Sequence, residues 1–148
     1  VNKYPEWWDQ TTTVYNKFEN PSTRVITWYK TVLKNCFWKH AENKLTVGET
    51  TLETAVTLCR VPVSGQFLEK YEWEKLTDAE RSNYFTFGPG DILVRGAVED
   101  QVNEYQQGQR SSDLMKKYKN LQGCMLIQQC SVNTGRGRGN EHYLVKGV

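Results

Sequence analysis

The sequence predicts a mainly β protein: a small β-barrel or sandwich with one short helix, about 112–119, and a long charged loop, about 64–83. Three observations carry that reading. Runs of β-type residues at or near the strand period of two recur at 11–18, 23–38, 50–63, 92–94, 123–132 and 141–148. Turn formers such as Asn20-Pro21-Ser22 and Gly88-Pro89-Gly90 separate the runs. Aromatic residues are abundant, with five Trp and eight Tyr, and they suit pleated surfaces and interfaces. A chain of 148 residues fits one domain, 1–148, with a core of useful size and an arm inserted at 64–83.

The most readable stretch is 85–98. Phe85-Thr86-Phe87 alternates into Gly88-Pro89-Gly90, and Ile92-Leu93-Val94 follows as a short β-branched run. Glycine accepts positive φ and proline presets φ, so the stretch reads as a central hairpin. Gly96 then interrupts its second strand.

From the start, Trp7 and Trp8 sit in a poorly periodic aromatic segment, and neighbours on a strand cannot both face one core. They either cap a barrel end or dock on a neighbouring subunit. Residues 11–18 form a strand ending at the 20–22 turn. The 23–38 run is apolar on both parities (Val25, Tyr29 and Leu33 against Ile26, Trp28 and Val32), so both faces should be covered, by core or by a neighbour. Its break is expected at His40-Ala41-Glu42-Asn43. Residues 50–63 alternate as a half-buried strand that Pro62 either ends or places at an edge, because proline donates nothing to a ladder.

The 64–83 excursion carries Glu69, Lys70, Glu72, Glu74, Lys75, Asp78, Glu80 and Arg81. Thr77-Asp78-Ala79-Glu80 fits a capping box, which predicts one helical turn there. The excursion reads either as a functional arm facing a channel or partner, or as a solvated surface insertion. Beyond the hairpin, 99–105 reads as a polar strand. A short helix follows over 112–118, with Ser112 as its N-cap, Asp113 in the first turn, and Leu114, Met115 and Tyr118 on its packing face. Two closing strands, 123–132 and 141–148, flank Gly135-Arg136-Gly137-Arg138-Gly139.

Chemistry is harder to find. A net charge of +2 does not mark a nucleic-acid binder, and no apolar run nears the roughly 20 residues that span a bilayer. The start on Val1 leaves processing, including removal of a signal peptide, an open alternative. Cys36, Cys59, Cys124 and Cys130 lack a Cys-x2-Cys zinc spacing, and three of them lie in apolar strand-like runs where a free thiol acts as a small hydrophobe. His40 and His142 have no third group beside them for nucleophilic or metal chemistry, so no catalytic residue, metal or cofactor is expected. Arg136 and Arg138 could meet a phosphate, but without a P-loop pattern a partner-facing loop is the better reading.

Several pieces in consistent order resemble a known family: Val14-Tyr15-Asn16, Trp28-Tyr29, Arg60-Val61-Pro62, the stretch from Phe85-Thr86-Phe87 to Arg95-Gly96, Leu114 with Lys117-Tyr118, and His142-Tyr143-Leu144-Val145-Lys146-Gly147. The pattern is similar to small head and neck structural proteins, of minor capsid or head-tail connector type, from tailed phages and prophages of Gram-positive bacteria. The resemblance implies a non-enzymatic virion protein, a stopper-like connector subunit in a ring between portal and tail, assembled in the host cytoplasm. In such necks, barrels pack side by side around a DNA channel, and a loop closes or lines the opening. Its implied partners are sibling copies, portal or adaptor and tail-side proteins, and passing double-stranded DNA read without sequence specificity, with no membrane. On that basis Trp7, Trp8, Trp28 and Tyr29 are the expected subunit contacts. The 64–83 arm is the expected channel loop, and deleting 66–82 is expected to leave a folded barrel. The competing reading is a secreted, lipocalin-like barrel for a small ligand, with an apolar cavity, two disulfides and a monomeric state.

Overall fold

The computed structural model describes residues 7–48, 50–119, 123–133 and 141–148, and for 41–47 and 50–56 it describes the backbone. Six strands close into an antiparallel barrel in the order β1-β2-β3-β6-β5-β4. They are β1 (Gln10–Glu19), β2 (Ile26–Val47), β3 (Thr50–Pro62), β4 (Ile92–Arg95), β5 (Cys124–Asn133) and β6 (His142–Gly147). The helices are α1 (Lys70–Glu74), α2 (Asp78–Arg81) and α3 (Ser111–Lys119). The mainly β class and the helix near 112–119 are as the sequence predicts.

Every strand of the closed barrel pairs with two neighbours, and β2 and β5 do so by handing over from one partner to the next along their length. β2 pairs with β1 from Ile26 to Cys36 and with β3 from Phe37 to Val47. The changeover falls at Asn35, a non-glycine residue at φ 60°, opposite a register shift between Gln10 and Thr12. β5 likewise passes from β4 to β6, with its own shift between Ile127 and Gln129. Bulges bend a strand sharply enough to turn such corners.

Alternation sorts the side chains into two buried layers. Val14, Leu33, Cys59, Leu93, Met125, Tyr143 and Val145 fill the barrel interior with Phe85 and Phe87. Their sequence neighbours Tyr15, Ile92, Val94 and Cys124 point outward and are covered by Leu114 and Tyr118 of α3. Strands covered on both faces read as apolar on both parities, which is the pattern seen in the sequence.

The stretch 85–91 corrects the expected hairpin. Phe85 makes only an isolated bridge to Phe67, residues 86–88 are not strand, and β4 pairs with β1 and β5 instead. The backbone of 86–88 is claimed by polar side chains. Asn16 donates to the Thr86 carbonyl and accepts from the Thr86 N–H at 3.3 Å. Asp91 sits fully buried and accepts from Gly88 N–H at 2.9 Å, Lys17 N–H at 2.9 Å, Asn16 Nδ2 at 3.1 Å and Lys70 Nζ at 2.9 Å. Gly90 makes the turn at φ 94°, a conformation costly for any residue with a Cβ. Gly96 ends β4, as expected, at φ 104°.

Two other expectations shift. Residues 99–105 are not strand; they run outside the barrel, where Glu104 accepts from the Trp28 indole at 3.1 Å and the Tyr105 hydroxyl accepts from Ile26 N–H at 2.8 Å. α3 begins one residue early, so Arg110 takes the cap position in place of Ser112, and its N–H donates to Asp113 at 3.1 Å. Near the end of α3, the Asp100 carboxylate accepts from Lys117 Nζ at 2.8 Å and the Tyr118 hydroxyl at 2.5 Å.

Replacing Asp91 with alanine is expected to cost about 3–5 kcal/mol in urea unfolding, because it strands Lys70 and buried N–H groups together. The hydrogen bonds from Lys117 and then Tyr118 hold the Asp100 carboxyl below its usual value. A lowered folded value means stability present above the unfolded value and lost as pH falls. Asp100→Asn is therefore expected to lower the melting temperature at neutral pH. The gap from wild type should fade as pH drops below about 4, the ordinary aspartate value.

Candidate functional site

Of the four aromatic residues expected as subunit contacts, one stands open. Trp8 is buried, its ring edge-on to His142 at 5.6 Å. Trp28 packs into the layer under α3, and half-buried Tyr29 meets Trp73 edge-on at 5.5 Å. The tryptophan- and tyrosine-bearing faces of this strand both meet partners from within the chain, while Val25 and Val32 stay exposed at 46% and 42%. Trp7 alone is mostly exposed, at 58%, and rests edge-on against Phe37 at 5.0 Å. The Arg60 guanidinium lies 5.4 Å from the same Phe37 ring, so Trp7 crowns an aromatic–cation stack.

The 64–83 segment is neither a free arm nor a solvated loop. It folds into α1 and α2 against one end of the barrel, and the capping box is present at Thr77 and Glu80. Trp73 is fully buried against Phe18 and Tyr29, and Phe67 stacks on Tyr143 at 4.1 Å. All three bases of the segment are engaged within the chain. Lys70 reaches Asp91 and the Lys17 carbonyl. Lys75 Nζ lies 3.8 Å above the Tyr71 ring. Arg81 is buried, 3.7 Å above the Phe18 ring, and donates to the Glu74 and Leu76 carbonyls and to Asp78. Glu69, Glu72, Glu74, Asp78 and Glu80 remain on the outside beside the exposed Lys75, so the surface presented is predominantly acidic. The tryptophan was the signal: one large apolar ring among charges marks a docked segment.

The projecting element lies elsewhere. β2 does not break at His40; it continues to Val47, and His40 faces Thr57 across the ladder with Nδ1 2.9 Å from Oγ1. β3 meets β6 only over Thr57–Pro62, so the paired residues 41–47 and 50–56 leave the barrel as a two-stranded ribbon. At a rise of about 3.3 Å per residue the ribbon reaches about 20 Å outward. Among the described residues no third strand pairs with either edge of it. Thr46, Val47, Thr50 and Thr51 suit a strand, and they were the available sign of it.

Arg136 and Arg138 lie outside the described residues. Among the described residues, no three His, Cys, Asp or Glu side chains gather as a metal site. The four cysteines are free thiols; Cys36, Cys59 and Cys124 are buried, and burial pushes Cys124 and Cys130 up to about 12. An open groove of about 500 Å³ runs beside α1, lined by Phe18, Glu19, Pro21, Tyr71, Glu74 and Leu76, with Lys75 and Arg81 along it.

These features define a class: a closed six-stranded antiparallel barrel with a packed interior, a helical plug and a projecting ribbon. A family model described as a family of unknown function, DUF6751, matches residues 7–148, and the chain belongs to that family. No curated protein and no solved structure matches it.

Because Trp73 is part of the fold, Trp73→Ala is expected to cost about 3–5 kcal/mol in denaturant unfolding. Deleting 66–82 is expected to abolish the cooperative transition, the reverse of the outcome for a free arm.

Proposed function

We propose that this chain is a non-enzymatic virion structural protein, a head-completion or neck subunit that forms a ring between portal and tail around the DNA channel. The observation that carries this reading is the ribbon at 41–56, which leaves a barrel whose own interior is filled. A ribbon with unpaired edges invites another chain, and soluble proteins seldom leave such edges long without use. In the neck proteins that the sequence resembles, a loop closes or lines the channel. The ribbon suits that part better than 64–83 does, because 64–83 is committed to the barrel through Trp73 and Arg81. Within 41–56 the charges are Glu42, Lys44, Glu49 and Glu53, an excess of carboxylates that lets DNA pass without holding it.

The lipocalin-like reading is less well supported. A carrier needs an apolar cavity inside its barrel, whereas here Phe85, Phe87, Met125 and Tyr143 occupy that space. It also anticipates two disulfides, whereas the described cysteines are free thiols.

The chain is expected in purified phage particles by mass spectrometry, and its absence there would sink the reading. A second variant tests the ribbon. Replacing 43–54 with Asn-Gly joins the directly paired Glu42 and Ala55 through a two-residue turn. The shortened protein is expected to melt as the parent does, while particles carrying it fail to close or to retain DNA.

A further inference from the structure

We infer that copies of this chain meet head to tail, with Trp7 of one copy seated in the groove beside α1 of the next. This deepens the assembly reading above and rests on it. The two surfaces lie at opposite ends of one strand: Trp7 precedes Gln10, the first residue of β1, and Phe18 and Glu19 are its last two and line the groove. Ten residues of strand separate them by about 30 Å. One copy can therefore offer its knob to one neighbour and its groove to another. Unlike patches on one subunit give a heterologous contact, which closes into a ring when the rotation allows.

Shape and charge both favour this occupant. Trp7 is 58% exposed and Tyr71, on the groove wall, is 70% exposed. Both are large aromatic surfaces of the kind that anchor interfaces. A groove of about 500 Å³ with Phe18, Pro21, Tyr71 and Leu76 as walls has room for an indole. Lys75 and Arg81 already lie over the Tyr71 and Phe18 rings, so an incoming indole extends an existing cation–aromatic stack. The remaining groove charges are the exposed carboxylates Glu19 and Glu74, with exposed Glu72 next to Tyr71 in α1. Around Trp7 the charges are opposite: Arg60 sits on the Phe37 ring, and exposed Lys39 lies two residues along the same strand. The nearby Asp9 carboxylate accepts from the Gln10 amide at 3.1 Å. Complementary charge of this kind sets register and speeds encounter.

The test is sedimentation velocity over a range of concentrations and salt. Wild type is expected to associate beyond a dimer as concentration rises, less so in high salt. Trp7→Ala removes the knob; Tyr71→Ala with Glu74→Lys removes the groove, and both sets of side chains are exposed enough to spare the fold, which thermal melts check. Each variant alone is expected to lose at least about tenfold in association. An equimolar mixture is expected to form a one-to-one heterodimer and nothing larger, because one live knob and one live groove remain to meet. Should Trp7→Ala disturb the fold, Lys39→Glu weakens the same end from an exposed position. A wild type that stays monomeric, a variant that associates like wild type, or a mixture without heterodimer each overturns the contact. Finding the chain in particles while the mixture stays monomeric removes this contact alone. Head-to-tail association with no chain in particles removes the virion reading and leaves the contact standing.

Discussion

A buried carboxylate with no exposure holds this barrel in its particular shape. Asp91 ties β1 through Asn16 and Lys17, the 86–90 turn through Gly88, and α1 through Lys70. An unpaired charge at such a site would be prohibitive, so the four donors are needed together. The network has a consequence for the whole chain. It claims the backbone of 86–88 that would otherwise have entered the ladder, and it leaves β4 free to join β1 to β5 and complete the closure.

The same economy governs the 64–83 segment. Lys70 and Arg81 turn inward, onto Asp91, onto the Phe18 ring and onto the carbonyls at the end of α1, where a guanidinium satisfies several acceptors at once. Its carboxylates stay in water, where ionised groups cost least. A segment close to neutral in composition thus presents a mostly acidic outer surface beside an apolar groove. The opposite end of β1 carries Trp7 over Phe37 and Arg60. The barrel is polarised along that strand, which a subunit of a directional assembly requires.

β2 links these parts. It lies in the barrel wall beside β1, turns a corner at Asn35, pairs with β3, and then runs on past the barrel. A two-stranded extension continues the direction of the sheet it leaves, because its backbone bonds are made within the ribbon itself. In the proposed ring this places the reaching element on the longest strand of the molecule.

Much of this was legible in the residues, and the boundary is physical. Local signals settled what local physics controls: period-two runs became strands, the Thr77–Glu80 capping box started a helix, and Leu114 with Tyr118 faced α3 inward. Apolar residues on both parities of 25–33 predict two covers, which Trp28 and Tyr29 receive from Glu104 and Trp73 of the same chain while Val25 and Val32 stay exposed, and no periodicity could tell these apart. The sequence by itself determined the class of fold, most of the strands, and the absence of cysteine spacing for zinc. Tertiary structure alone decided that Phe85 and Phe87 fill the barrel without forming a strand, that His40 continues one, and that a charged segment docks through Trp73. Each depends on a partner far along the chain, such as Asn16 and Asp91 for 86–88 and Thr57 for His40, and distance along a sequence carries no sign of proximity in space.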